Sequence, residues 1–404
     1  LSLNAEPSRS AGLDRLDGFV ERAGGRYAAR RKFDLGPGRH DAVSGLSPYI
    51  RHRLITEEEV VRRVLERHTP EAAEKFIQEV FWRTYWKGWL ELRPSVWTAY
   101  REAVRQETTR VASDESLARR LADAAAGRTG IACFDAWIRE LNDTGYLHNH
   151  ARMWVASIWI FTLRLPWELG AELFLSRLLD GDPASNTLSW HWVAGLQTRD
   201  KTYLARPDNI ERFTEGRFHP APGTLSETAI AVSGPTPPPP GPAPEAPSIP
   251  RQGRVGVLVH REDLSPEWLI AASGSTVVGL IRSPTGHDTD DTLPARFTAG
   301  ALDDARTRLR QAGYDVDDIG RADDTIGNVE AWASVRDIRT IVTPHAPVGA
   351  CRSFLDGLTA RARAAGHDVI AVPRAWDTAA WPHATKGFFQ FKRQIPALLD
   401  RLVD

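Results

Sequence analysis

Cysteine is nearly absent: Cys133 and Cys351 are the only two in 404 residues. That excludes a disulfide framework and a thiolate metal cluster. Long apolar runs are missing as well. None approaches the roughly 20 residues that span a bilayer, and the first residues lack the apolar core of a secretory signal. No membrane association is expected, and the expected location is cytoplasmic. An excess of charge of one sign is lacking too. Lys+Arg number 51 against 52 Asp+Glu, and neither half of the chain is a basic block, so any contact with nucleic acid must use a local patch. No Gly-x-Gly-x-x-Gly follows the first predicted strand of the second half, so the dinucleotide fingerprint is missing.

Proline is plentiful and unevenly placed. The stretch Gly234 to Pro250 contains PTPPPPGPAPEAP. Prolines fix φ and cannot join a ladder, so it should be extended. About 17 residues at roughly 3.1 Å each reach on the order of 50 Å, enough to cross a domain. It separates two compositionally different halves, which favours a tether over a ligand for a proline-binding module. The predicted division is a helical domain over 1–220, a linker over 221–250 and an α/β domain over 251–404. In the first half, residues 55–68 place Val60, Val61 and Leu65 on one helical face, with acids early and bases late as the helix dipole prefers. Residues 74–91 and 151–164 are apolar and aromatic over several turns. In the second half, strands are predicted at Val255–His260, Thr276–Arg282, Asp315–Ile319, Thr340–Pro344 and Asp368–Pro373. Helices lie between them, such as Ala301–Gln311 and Cys351–Ala364. The fold class is therefore α plus α/β, the second part an open, five-stranded, parallel, Rossmann-like sheet with helices on both faces.

Four segments of the helical half combine aromatic, amide and charged residues. Val43–Tyr49 (VSGLSPY) is a tight turn entering a helix, whose free N–H groups and hydroxyls suit a phosphate, or simply an N-cap at Ser47 with Pro48 in the first turn. Gln78–Trp86 carries Glu79 and Arg83 four apart, a helical ion pair or, with Trp82, a grip on a planar ligand. Gly145–Trp154 holds His148, Asn149 and Arg152, costly to bury without partners, and Met153, the only methionine. His148 and His150 are two apart and share no helix face, so no metal is expected. Leu179–Trp192 begins like a calcium loop, with Asp180-x-Asp182, but lacks the closing glutamate and the correctly placed glycine. Polar residues beside two tryptophans suit a hydroxylated, flat cofactor instead.

Taken in order, these segments resemble the FAD-binding domain of the photolyase/cryptochrome family over roughly residues 10–220. The resemblance rests on Leu46–Ser47–Pro48–Tyr49, Trp82–Arg83, Thr129–Gly130, Asn149, Arg152–Met153, Asp180–Gly181–Asp182, Asn186 and Trp190-x-Trp192. It implies FAD within the helical bundle. Ser44, Leu46 and Ser47 would contact its phosphates with help from Tyr27. Arg83, Asn149, Arg152, Asp180 and Asp182 would line the flavin and ribityl pocket, and Asn186 would face flavin N5. The resemblance is closest to the members acting on cyclobutane pyrimidine dimers, which use Asn and Met where this chain has Asn149 and Met153, and Glu and Trp at Glu79 and Trp82. Trp82, with Trp192 beside it, would stack on the dimer, and Glu79 would hydrogen-bond to a base. The implied partner is UV-damaged DNA, bound by a monomer. The implied activity is that of a deoxyribodipyrimidine photolyase, driven by light through reduced FAD.

The chain also departs from the family. The phosphate strip Val43–Ser47 has lost one hydroxyl and one cation. Trp190 and Trp167 match the first two members of the tryptophan chain that reduces the flavin by light, but the third position is Ala124; Trp86, Trp137, Trp154 or Trp159 are candidate substitutes. The family's α/β antenna domain normally comes first, whereas here residues 254–373 resemble it and come last. A circular permutation through the proline linker is expected, with a second, antenna chromophore of unknown identity. Residues 384–399 are expected to pack back between the halves. The alternatives are a cryptochrome-like blue-light sensor without repair activity, and a degenerate flavin-binding structural protein. Trp190→Phe should slow flavin photoreduction and spare repair by enzyme reduced beforehand. Normal photoreduction of the variant would remove Trp190 from the chain.

Overall fold

A computed structural model describes residues 5–251, 253–282, 291–319 and 325–402; the outer domain bounds at residues 1 and 404 lie outside these. Helices run from Arg9 to Phe213, and the strands from Val255 to Val372. Local signals set the helix ends. Glu57–Leu65 starts in a capping box: the Thr56 hydroxyl accepts from Glu59 N at 3.2 Å, and the Glu59 carboxylate accepts from Thr56 N at 2.8 Å. Val60, Val61 and Val64 form its buried face, with Leu65 at the rim. Glu74–Glu91 is one helix. The helix expected over 151–164 is instead Asn149–Ser157 followed by a π turn, Ile158–Thr162. The wider turn brings Trp159 against Trp190, ring centroids 6.4 Å apart.

The strands are β1 Val255–Val259, β2 Val277–Ile281, β3 Asp315–Ile319, β4 Thr340–Pro344 and β5 Asp368–Val372. All pair in parallel, in the order β3-β2-β1-β4-β5. The strand order reverses between β1 and β4, where open α/β sheets bind ligands at the carboxyl ends of the strands. Here Glu91, from the helical half, reaches that edge. Its carboxylate accepts from Val348 N at 2.5 Å and lies 3.1 Å from His345 Nε2, just after β4.

Buried charge joins the halves. Arg51 pairs with Glu262 and also donates to the Gly181 carbonyl at 2.8 Å. Arg53, in the left-handed region at φ 49°, donates to both Asp377 oxygens at 2.7 and 2.8 Å, with Glu57 and Asp263 at 3.6 and 3.7 Å. Arg374 completes the set on Asp263 at 2.6 Å. The proline stretch lies along the helical half: Gly241 N donates to Leu92 O at 2.8 Å, and Arg93 bridges Pro238 O at 2.9 Å and Thr385 O at 2.7 Å. The C-terminal segment packs on Glu74–Glu91. Trp376 Nε1 donates to Thr84 at 3.0 Å, and Trp381 sits so close to Gly88 that a Cβ there would fall 2.7 Å from its ring.

Burial alone would raise the Glu262 carboxyl, but Arg51 outweighs it and holds it far below the usual range. A depressed carboxyl contributes stability above its unfolded pKa, about 4.3, and loses it as pH falls toward the folded value. Glu262→Gln should therefore cost about 3–5 kcal/mol at pH 7 in urea unfolding. The gap to the parent should shrink progressively below about pH 4; a gap independent of pH would contradict this account.

Candidate functional site

The site centres on the loop Asp180–Asp182, where two carboxylates are buried and each meets a cation. Asp180 pairs with Arg152 at 3.0 Å, and Arg152 is steadied by donating Nε to Leu147 O at 2.8 Å. Asp182 caps the helix Pro183–Ala194 by accepting from Ser185 N at 2.7 Å, with Lys87 Nζ 3.8 Å away. Burial raises both carboxyls, but Arg152 and Arg83 around Asp180, and Lys87, Arg51 and Arg83 around Asp182, outweigh it and keep them ionised. Ser47 is not the N-cap that its sequence context allows. The helix is Ser47–Arg51 with Leu46 at the cap, and the Ser47 hydroxyl faces Asp180 instead, helping to hold its carboxyl down. Gly45 makes the preceding turn at φ 64°.

These residues fit FAD. Arg83 Nη1, Lys87 Nζ and Ser185 Oγ are buried without a hydrogen-bond partner in the protein. Buried donors of this kind require acceptors, which a pyrophosphate, a ribityl chain and an anionic reduced ring supply. Asn186 donates Nδ2 to Ala171 O at 2.7 Å, which leaves its amide oxygen as an acceptor for a ring N–H. Lys87 was missed in the sequence, where its neighbours Tyr85, Trp86 and Trp89 read as core. Its signal was a charge inside an apolar helical run.

The other predicted residues are spread more widely. Tyr27 is buried edge-on against Phe19 and Phe76. Asn149 is exposed and Met153 half-buried. Glu79 accepts from Arg31 at 2.5 Å, and burial pushes its carboxyl up against that pairing. Trp82 and Trp192 do meet, in a cleft of about 370 Å³ also lined by Trp86, Trp89, Arg93, Lys201 and Lys386. Glu79, Asn149 and Met153 are not among its lining residues. Phe388 stacks on Trp82, 3.6 Å between centroids and 12° between planes. That contact joins segments 306 positions apart (388 minus 82) and left only an aromatic pair, Phe388–Phe389, in the sequence.

Trp190 packs edge-on against Trp159 and Phe174, and Gly170 admits it: a Cβ there would lie 2.4 Å from its ring. Trp167 contacts His191, next in sequence to Trp190, and Tyr100. Ala124 is fully buried. Asp34, His40 and Glu140 bring potential metal-ligand atoms within 4.8 Å of one another. Trp137, Arg217 and Gly36 already donate to Asp34, and His40 bonds Glu140 at 2.6 Å. Those internal partners occupy Asp34 and one nitrogen of His40, and no metal is assigned to the cluster.

A helical bundle with this cradle defines a flavin-binding domain. Residues 76–217 match the family described as the FAD binding domain of DNA photolyase. The deoxyribodipyrimidine photo-lyase of Streptomyces griseus is 38% identical over 159 residues, covering 39% of this chain and 33% of that one. The Thermus thermophilus enzyme of the same name is 36% identical over 192 residues, covering 47% and 43%. The Escherichia coli enzyme is 31% identical over 200 residues, covering 48% and 40%. The chain thus spans well under half the length of these relatives. Among solved structures, a class III photolyase from Agrobacterium tumefaciens and a Synechocystis cryptochrome each match at TM-score 0.39 and 26% identity, over 52% of this chain and 43% of theirs. The chain carries a photolyase/cryptochrome-like FAD-binding helical domain followed by a parallel α/β domain, an order consistent with permutation.

Asp180→Asn leaves the half-buried Arg152 beside a neutral amide. FAD retention should fall at least tenfold, about 1.4 kcal/mol, read as the flavin-to-protein ratio after gel filtration. Unchanged retention would move the cofactor away from this loop.

Proposed function

We propose that the protein repairs cyclobutane pyrimidine dimers in DNA by light-driven electron transfer, as a deoxyribodipyrimidine photolyase. The observation that carries the reading is the cleft shared by Trp82 and Trp192, with Arg93, Lys201 and Lys386 among its lining residues. Flat indoles stack on bases, and cations beside them meet the backbone phosphates. A dimer leaves a duplex more cheaply than an intact pair because it stacks poorly. Held by these residues and reduced, FAD would supply the excited-state electron that opens the ring and would recover it afterwards. The chain's own part is to orient and to hold charge. Trp82 and Trp192 position the bases. Glu79, its carboxyl raised by burial, hydrogen-bonds to a base once Arg31 yields. Asp180, Arg152 and Asn186 would hold the flavin ring.

A second reading is a blue-light sensor related to the cryptochromes. Phe388 on one face of Trp82 and Arg31 on Glu79 favour it, since both substrate contacts already have internal partners.

The deciding experiment is repair of a defined thymine-dimer oligonucleotide by FAD-loaded, reduced protein in blue light and in darkness. Light-dependent restoration of the thymines is expected, and Glu79→Ala should lower repair per absorbed photon about tenfold or more with FAD still bound. Bound, reducible FAD without repair would transfer the assignment to the sensor.

A further inference from the structure

Ala124 interrupts the tryptophan chain expected to reduce the flavin, yet the ring contacts do not stop at Trp167. Trp167 lies 5.6 Å from Tyr100 between centroids, and Tyr100 lies 5.4 Å from Trp97. Three aromatic rings therefore run from the helix Trp167–Arg177 onto the helix Pro94–Ala112 in near van der Waals contact. The end of this series has an unusual polar setting. The Tyr100 hydroxyl donates to Glu172 Oε2 at 3.1 Å, and Arg101 holds the same carboxylate at 2.6 Å. Glu168 also faces the phenol. The Arg101 guanidinium lies 5.7 Å from the Trp97 ring centre and 5.9 Å from that of Tyr100.

These surroundings treat the rings differently. An oxidised tryptophan is a cation until it loses its indole proton, and the shared guanidinium disfavours a positive charge on either ring. An oxidised tyrosine becomes strongly acidic, and Tyr100 has a carboxylate placed to take its proton at once. Losing the proton leaves a neutral radical, which does not readily take an electron back.

We propose that Tyr100 is the terminal electron donor of flavin photoreduction in this chain, with Glu172 as its proton acceptor. One electron leaves the phenol through Trp167 toward the photoexcited flavin, and the phenolic proton passes to the Glu172 carboxylate. No bond between heavy atoms is made or broken. The route replaces the third tryptophan that Ala124 lacks. A thiol-class reductant in solution returns the tyrosine to its resting state. The inference rests on FAD bound at the Asp180–Asp182 loop but not on DNA repair.

The test is a blue flash on the FAD-loaded, oxidised protein without DNA, followed by transient absorption and by electron paramagnetic resonance of the trapped radical. A neutral tyrosyl signal is expected in the parent. Tyr100→Phe should abolish it and shorten the charge-separated state at least tenfold, with tryptophan-derived signals in its place. Glu172→Gln, which keeps the shape of the acceptor, should slow tyrosyl formation and increase its slowing in deuterated water. A long-lived tryptophanyl radical in the parent, or a tyrosyl signal that survives Tyr100→Phe, would overturn the proposal. Absence of dimer repair would not bear on it, because the readout involves no DNA.

Discussion

One buried guanidinium connects the parts of this protein that matter together. Arg51 ends the short helix that follows the proposed phosphate strip, donates to the Gly181 carbonyl inside the Asp180–Asp182 loop, and pairs with Glu262 just beyond β1. A fully buried cation is tolerable only when its donors are met, so the strip, the loop and the α/β half must take up one relative position. Arg53, two residues on, repeats the device toward Asp263 and Asp377. Such pairs add little to net stability when compared with apolar packing, but breaking one is costly. They act more as locks on arrangement than as sources of binding energy.

The same constraint explains how an α/β domain can follow the helical one. Contacts between the halves are made by side chains, not by the order in which the chain visits them. The proline segment then needs only to reach. It does so along a defined path, tied through Gly241 to Leu92 and through Arg93 to both Pro238 and Thr385. Arg93 therefore fixes two walls of the aromatic cleft at once. Glu91, two positions earlier, occupies the carboxyl edge of the sheet at the point where strand order reverses. The edge that open α/β domains commonly offer to ligands here receives a carboxylate from its own chain.

Electrostatics within the cradle follow from partner choice. Asp180 and Asp182 stay ionised because each has a cation, while Glu79, with one partner and much apolar surface, is pushed up. Two kinds of carboxyl thus sit in one bundle: a pair held as anions beside their cations, and one that burial pushes up. The tryptophans divide in a comparable way, into those lining that cleft and those leading through the bundle interior toward Tyr100.

By itself, the sequence determined what depends on local rules. Five runs with β-branched residues became five strands within a residue or so: the central β1, β2 and β4 are buried on both faces and read as nearly continuous apolar stretches, while the edge strands β3 and β5 are marked by β-branched residues among polar or half-buried ones. The acids early and bases late in residues 55–68 marked a helix, and the ordered flavin motifs marked the domain, because charge order along a helix and motif spacing act over a few positions. Tertiary structure alone decided the rest. Phe388 on Trp82, Arg31 on Glu79, Glu91 at His345 and Arg51 on Glu262 join residues 48 to 306 positions apart (79 minus 31; 388 minus 82). Lys87 read as one charge in an apolar helix, and only folding placed it beside Asp182. Periodicity records which face of an element is buried. Which distant side chain meets it is settled when the elements pack, and a charge that enters a dry interior must find a partner there.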